Sequence, residues 1–345
     1  MIPADPKNIL IIKLSSLGDV VHALPALRAL RLKFPSARIS WLVNRGLEGI
    51  LEGNPDLDEI IRFDRKRWGQ WRDCGAMGEL KSFVLGLRDR SFDLVLDLQG
   101  LLRSGVLAAL TDAPVRVGFT NARELSPLFY THKVPVPEDD IHAVDRYLLA
   151  TSFLGANLDD AVFPVAVNHA DEVWAEDELG RLGITRPPIL VNPSARWITK
   201  QWSLDRFAEA CRVLSADGYP VVLIGGGEDT ERCHRLRELA GLPLTDLSGK
   251  TTLKQLVALM RRSSLLLTND SGPMHLAVAT GLAVVAIFGP TNPDRTGPYA
   301  MLDRVLRKDI SCAPCYRKKC KELFCMESLP VEEVVRKVKD ELEKG

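Results

Sequence analysis

The sequence predicts an α/β chain made of two doubly wound, mainly parallel domains, and three observations lead there. A short apolar run, a turn of small residues and an amphipathic helix recur in that order through both halves, the grammar of parallel strands joined by helical crossovers. The length, 345 residues, favours two hydrophobic cores over one. Between the halves lies FPVAVNHADEVWAEDELGRLGITRPP, a helix flanked by Pro-containing extended pieces, which places the boundary between domains 1–165 and 166–345.

In the first half the apolar runs put strands at Ile9–Lys13, Arg38–Val43, Glu59–Phe63, Leu94–Asp97 and Val115–Phe119, with helices near 24–33, 77–89 and 141–154. The pattern restarts at Ile189–Asn192 and continues with Val221–Ile224, Leu265–Thr268 and Ala283–Phe288. A charged amphipathic helix, about Val331–Glu343, follows a Cys-rich loop and could pack back on the N-terminal domain.

Lys+Arg and Asp+Glu number 45 each, and each half is near neutral, so any charge that acts on a ligand must be a local patch. No apolar stretch approaches the roughly 18 residues of a spanning helix. The N-terminus, MIPADPKNILIIK, lacks the basic region of a signal peptide, so a cytoplasmic location is expected. Doubly wound domains bind ligands at the carboxyl ends of their strands, which directs attention to the turns there.

Four turns carry chemistry. In Lys13-Leu-Ser-Ser-Leu-Gly-Asp19-Val-Val-His22, Asp19 is either a helix N-cap or a general base, and the turn is neither a dinucleotide fingerprint nor a Walker A loop. In Asn192-Pro-Ser194-Ala-Arg-Trp-Ile-Thr-Lys200, a hydroxyl and cations beside a helix start suit an anion, although a solvated loop has the same composition. Ile224-Gly-Gly-Gly-Glu228 places an acid where ribose hydroxyls bind in such folds, a weak signal alone. In Asn269-Asp270-Ser271-Gly272-Pro-Met-His275, a helix opening and a histidine on its first turn suit a pyrophosphate.

Taken together, K-L-S-S-L-G-D-V-V-H-A-L-P-A-L, K-Q-W and N-D-S-G-P-M-H-L-A-x8-A-I-F-G-P-T-N-P resemble the bacterial lipopolysaccharide heptosyltransferases of glycosyltransferase family 9, and the S-S-L-G-D-x-x-H form resembles heptosyltransferase I more than II. The resemblance implies a GT-B fold, two Rossmann-like domains facing across a cleft. The N-terminal domain would bind the acceptor, Kdo-lipid A, and the C-terminal domain ADP-L-glycero-D-manno-heptose. It implies inversion at the sugar without a metal or other cofactor. Asp19 would take the acceptor's proton, Lys200 would neutralise the leaving diphosphate, and Ser194 would lie near the phosphates. Glu228 would hold the ribose, and Asp270, Ser271, Gly272 and His275 the heptose and diphosphate. Heptosyltransferase II, or another GT-B nucleotide-sugar transferase or epimerase, stays open as an alternative.

An acceptor rich in carboxylates and phosphates calls for basic groups in the first half. Arg62, Arg65, Lys66, Arg67 and Arg72, interleaved with Trp68 and Trp71, form such a run, though charge runs usually face water. His142 and Arg146, and more weakly Arg123, match acceptor contacts of the family, and Arg67 is the acceptor candidate from the basic run. No nucleic-acid module surrounds the run, and a lipid acceptor implies peripheral contact with the cytoplasmic face of the inner membrane. Cys312-x2-Cys315-x4-Cys320-x4-Cys325 has the spacing of a metal site, of disulfides or of thiols pinning a loop.

Overall fold

The computed structural model describes residues 3–69, 73–137 and 140–344. The chain divides into two compact units, Met1–Ala166 and Val167–Gly345.

In the first unit the elements run β1 (Asn8–Ile12), α1 (Leu17–His22), α2 (Leu24–Lys33), β2 (Arg38–Asn44), β3 (Glu59–Phe63), α3 (Arg65–Trp68), α4 (Cys74–Asp89), β4 (Leu94–Asp97), α5 (Leu102–Leu110), β5 (Val115–Phe119), β6 (His132–Val134) and α6 (Ala143–Ser152). The strands pair in parallel in the order β3-β2-β1-β4-β5-β6. Ile9 to Ile12 are fully buried, as expected of a central strand covered on both faces. The chain winds outward from β1 to β3, then restarts at β4 on the other side, so the switch point lies between β1 and β4. Gly118 is required on β5: a Cβ there would lie 2.3 Å from the Tyr130 ring, which passes over the strand to reach Asp97.

The second unit comprises α7 (His169–Arg181), β7 (Ile189–Asn192), α8 (Leu204–Ala216), β8 (Val221–Leu223), α9 (Thr230–Ala240), β9 (Thr245–Asp246), α10 (Leu253–Arg261), β10 (Leu265–Asn269), α11 (Gly272–Thr280), β11 (Ala283–Ile287), α12 (Pro293–Thr296), β12 (Val305–Leu306), α13 (Phe324–Glu327) and α14 (Val331–Leu342). Its parallel sheet runs β12-β11-β10-β7-β8-β9, the same winding, with the switch point between β7 and β10.

Helix ends follow their caps. α4 begins at Cys74 because the Asp73 carboxylate accepts from the Gly75 and Ala76 N–H groups, and α6 begins at Ala143 because the His142 ring accepts from Val144 N–H. Within the second unit the final helix, α14, packs on α8, β10 and β11. Val331, Val334, Val335 and Val338 form one stripe, and their burial with Trp202 and Phe207 completes the second core. Burying each such side chain is worth about 1.5 kcal/mol or more. The helix also receives bonds upstream of its start, since Trp202 Nε1 and Arg206 both donate to the Leu329 carbonyl.

Candidate active site

In the first unit the turn after β1 is built around Asp19. Ser16 is the N-cap of α1, and Asp19, in the first turn, reaches back so that Oδ2 accepts from Ser16 N–H (2.9 Å) and Ser16 Oγ (2.8 Å). Its other oxygen, Oδ1, is 3.7 Å from Lys13 Nζ and 3.5 Å from the Tyr147 hydroxyl. One oxygen is thus fixed by the helix start, while the side chain remains 41% exposed.

Lys13 closes β1 and is only 3% exposed. Its ammonium donates to the Leu98 carbonyl (3.1 Å) and sits 4.7 Å over the Tyr147 ring. Burial alone would lower its pKa, but Asp19, Tyr147 and Asp97 outweigh burial and hold it above the ordinary lysine value. Asp97, at the end of β4, accepts from Tyr130 OH (2.7 Å), Gln99 N–H (2.9 Å) and Gly100 N–H (3.1 Å), and burial raises its pKa. Gln99 in turn accepts from Ser15 N–H, which ties the two switch-point turns together.

Helix α6 brings further candidates to this turn. His142 packs edge-on against His22, with ring centroids 5.3 Å apart. Arg146 donates to Asn121 Oδ1 (2.6 Å) and lies 4.3 Å over Phe119. Arg123 is exposed on the turn after β5, where its N–H donates to Gly100.

Arg67 is not brought to Asp19. It lies on α3, past edge strand β3 and two strands from β1, and pairs with Glu79 (2.9 Å) and with Asp73. Arg62 pairs with Glu48 (3.1 Å) and Glu52 (3.3 Å), while Trp68 packs on Phe63 and Phe83. Arg62 and Arg67 are therefore answered by local carboxylates, while Arg65 and Lys66 are exposed and form no ion pair among the described residues. Arg72 and Trp71 lie outside the described residues.

In the second unit the turns after β7 and β10 converge. Lys200 Nζ is 2.6 Å from Asp270 Oδ2, and the lysine is 16% exposed against 5% for the acid. The same Asp270 oxygen accepts from Thr291 Oγ1 (2.6 Å). Ser271 Oγ is engaged by Asn192 Nδ2 (3.1 Å) and Thr268 Oγ1 (3.1 Å) and does not cap α11. The helix accordingly opens at Gly272 with no side chain on its first N–H groups, the arrangement that receives anions. His275 is buried on the following residues of that turn. Ser194 Oγ is buried with no hydrogen-bond partner, a donor left available to a ligand.

The turn after β7 is held rigidly. Asn269 donates to the Pro193 carbonyl and accepts from Trp202 N–H, and Arg232 clamps the carbonyls of Pro193 and Trp202. Glu228 is exposed on the turn after β8, the strand that pairs with β7.

The Cys-rich loop abuts this site. Thr199 Oγ1 donates to the Arg317 carbonyl (2.8 Å), and Cys315 and Tyr316 N–H both donate to Pro290. The four cysteines are free thiols, and among the described residues no group of three or more Cys, His, Asp or Glu could hold a metal ion. Burial, then the neighbouring cysteines, raises the Cys325 thiol, while N–H groups of Leu323 and Glu322 lower that of exposed Cys320.

Sequence reasoning singled out Asp19, Lys200 and Asp270 but not Lys13, Tyr147, Asp97 or Thr291, whose parts depend on contacts between distant segments.

The comparisons agree with this architecture. The profile of glycosyltransferase family 9 (heptosyltransferase) matches residues 81–325. The lipopolysaccharide heptosyltransferase 1 of Pseudomonas aeruginosa is 31% identical over 91% of this chain and 87% of its own. The lipopolysaccharide core heptosyltransferase OpsX of Haemophilus influenzae is 28% identical over 87% and 84%. A solved family 9 glycosyltransferase from Veillonella parvula superposes with a TM-score of 0.84 at 27% identity, covering 99% of both chains. The Escherichia coli ADP-heptose heptosyltransferase II, at 22% identity and a TM-score of 0.78 over 98% of this chain and 99% of its own, shares the GT-B type fold. The chain belongs to glycosyltransferase family 9, the heptosyltransferases, and is a glycosyltransferase.

Proposed function

We propose that the protein transfers L-glycero-D-manno-heptose from ADP-heptose to the Kdo-lipid A inner core of lipopolysaccharide, with inversion and without a bound metal or cofactor. The observation that carries the reading is the Asp19 carboxylate at the first unit's switch point, one oxygen fixed by Ser16 and the side chain open to a ligand. Similarity to lipopolysaccharide heptosyltransferase 1 of P. aeruginosa supports the first-heptose assignment.

In this reading the acceptor hydroxyl attacks the anomeric carbon from the face opposite the diphosphate. Its proton passes to Asp19, the new glycosidic bond forms, and the bond to the diphosphate oxygen breaks. ADP departs with an added negative charge. Lys200 and the opening N–H groups of α11 are fixed before the reaction, so they favour the transition state over the ground state. Ser194 and Ser271 supply hydroxyls beside the phosphates, Asp270 and His275 meet the heptose, and Glu228 the ribose. His142, Arg146 and Arg123 contact the anionic acceptor. A lysine and helix amides performing the neutralisation leave no task for a divalent ion.

The test is transfer from ADP-heptose to purified Kdo-lipid A. Heptosylated product is expected, whereas product only on an already heptosylated core would assign the chain to heptosyltransferase II. Consumption of UDP- or GDP-sugars in preference to ADP-heptose would point to another nucleotide-sugar enzyme.

A further inference from the structure

The turns of the second unit hold less net positive charge than their side chains suggest. Lys200 is bonded to Asp270, and that pair sums to zero in the free protein. A diphosphate is multiply anionic, so part of the charge that answers it must come from another residue. Arg196 lies on the same turn but is exposed, where water and salt screen it.

Arg232 is the half-buried cation of this region. It stands in the first turn of α9 and forms no ion pair among the described residues. Its Nε donates to the Pro193 carbonyl (2.9 Å) and an Nη to the Trp202 carbonyl (3.1 Å). These carbonyls supply dipoles but no net charge. Burial pulls the guanidinium below its ordinary value, and the neighbouring Cys233 and Asp229 offset this only in part. Bonding alone does not account for an arginine here, because the neutral Asn269 already grips both ends of the segment. Its Nδ2 donates to the Pro193 carbonyl (2.9 Å), and its Oδ1 accepts from Trp202 N–H (3.0 Å). The clamp is duplicated and the charge is not. Arg232 also links two ligand-facing turns: α9 follows the glycine turn that carries Glu228, while Pro193 precedes Ser194, whose buried hydroxyl has no partner.

We propose that Arg232 is a positioning residue for the donor's diphosphate: it holds the Pro193–Trp202 segment and supplies a standing positive charge that the bound anion neutralises. A charge set within the protein acts across a lower dielectric than one at the rim, so it reaches the diphosphate without touching it. It is fixed before the ligand arrives and needs no reorganisation when ADP gains charge on leaving. The free protein tolerates a half-buried cation without a counter-charge, and binding relieves that cost. The inference rests on the nucleotide-sugar reading above and gives it a residue outside the turns already assigned.

The experiment is calorimetric titration of the full chain with ADP and with adenosine, which keeps the base and ribose and carries no charge. Arg232→Gln retains amide donors for the carbonyls and removes the charge, whereas Arg232→Lys retains the charge and loses the two-pronged grip. Arg232→Gln should weaken ADP binding about tenfold and leave adenosine binding unchanged. Arg232→Lys should bind ADP much as the parent does. Equal losses for ADP and adenosine in Arg232→Gln, or a Lys variant as weak as the Gln variant, would make Arg232 a clamp alone and overturn the proposal, as would an unchanged ADP affinity. A parent that binds UDP or GDP in preference to ADP would instead sink the ADP-heptose reading, and the same comparison, made with that diphosphate and its nucleoside, decides the role of Arg232.

Discussion

The two units share a strand order and a switch point, yet they present opposite charges there. In the first, the cation of the pair is buried at the end of β1 and the acid, Asp19, faces outward. In the second, the acid, Asp270, is buried at the end of β10 and the cation, Lys200, lies nearer the rim. A buried charge is tolerated only with a partner, so each hidden member is bound to its mate and holds it in one orientation. The outward member is then the one available for chemistry. The same scaffold can thus present a carboxylate or an ammonium according to which partner is placed inside.

The largest expected effect breaks the first half of this comparison. Asp19→Ala should lower kcat by about 10²–10⁴, the usual contribution of a general base, while calorimetric ADP-heptose binding stays intact. Near-normal turnover would remove Asp19 from the reaction. Lys200→Ala breaks the second half and should cost about 10²–10³ in kcat, as loss of one preorganised donor does. A change confined to KM would make Lys200 a binding residue only.

Lys13→Met sharpens the comparison by removing a hidden member. Because the Lys13 ammonium is held above its ordinary value, it stays charged through neutral pH, and its stabilising contribution is lost only as pH rises past that raised value. Removing a standing positive charge 3.7 Å from Asp19 makes protonation of the base easier. The acidic limb of the rate profile should therefore move to higher pH, by about one unit, and Lys13→Arg should restore it. A uniform loss with an unmoved profile would mean that Lys13 serves packing alone.

Much of this was legible in the sequence because central parallel strands are unbroken apolar runs and the polar residues after them stand out against those runs. Asp19, Lys200 and Asp270 are visible for that reason. Strands β6, β9 and β12, only two or three residues long, are too short to display a period in the sequence. Lys13 and Asp97 read as the ordinary ends of strands, and only folding sets them around Tyr147 and Tyr130. The pairing of Arg62 and Arg67 is not visible in the sequence because Glu48, Glu52 and Glu79, which answer them, lie 10 to 14 residues away.

The position of α14 also bears on how the protein is made. The first unit is contiguous and complete by Ala166, so it can fold while the ribosome, at about 5–20 residues per second, is still extending the chain. The second unit cannot seal Trp202 and Phe207 until the 12 residues of Val331–Leu342 have emerged. A nascent chain therefore carries one finished unit and one open unit until α14 has emerged. Termination before α14 is complete would leave the second unit's core, rather than a dispensable tail, exposed to chaperones and proteases.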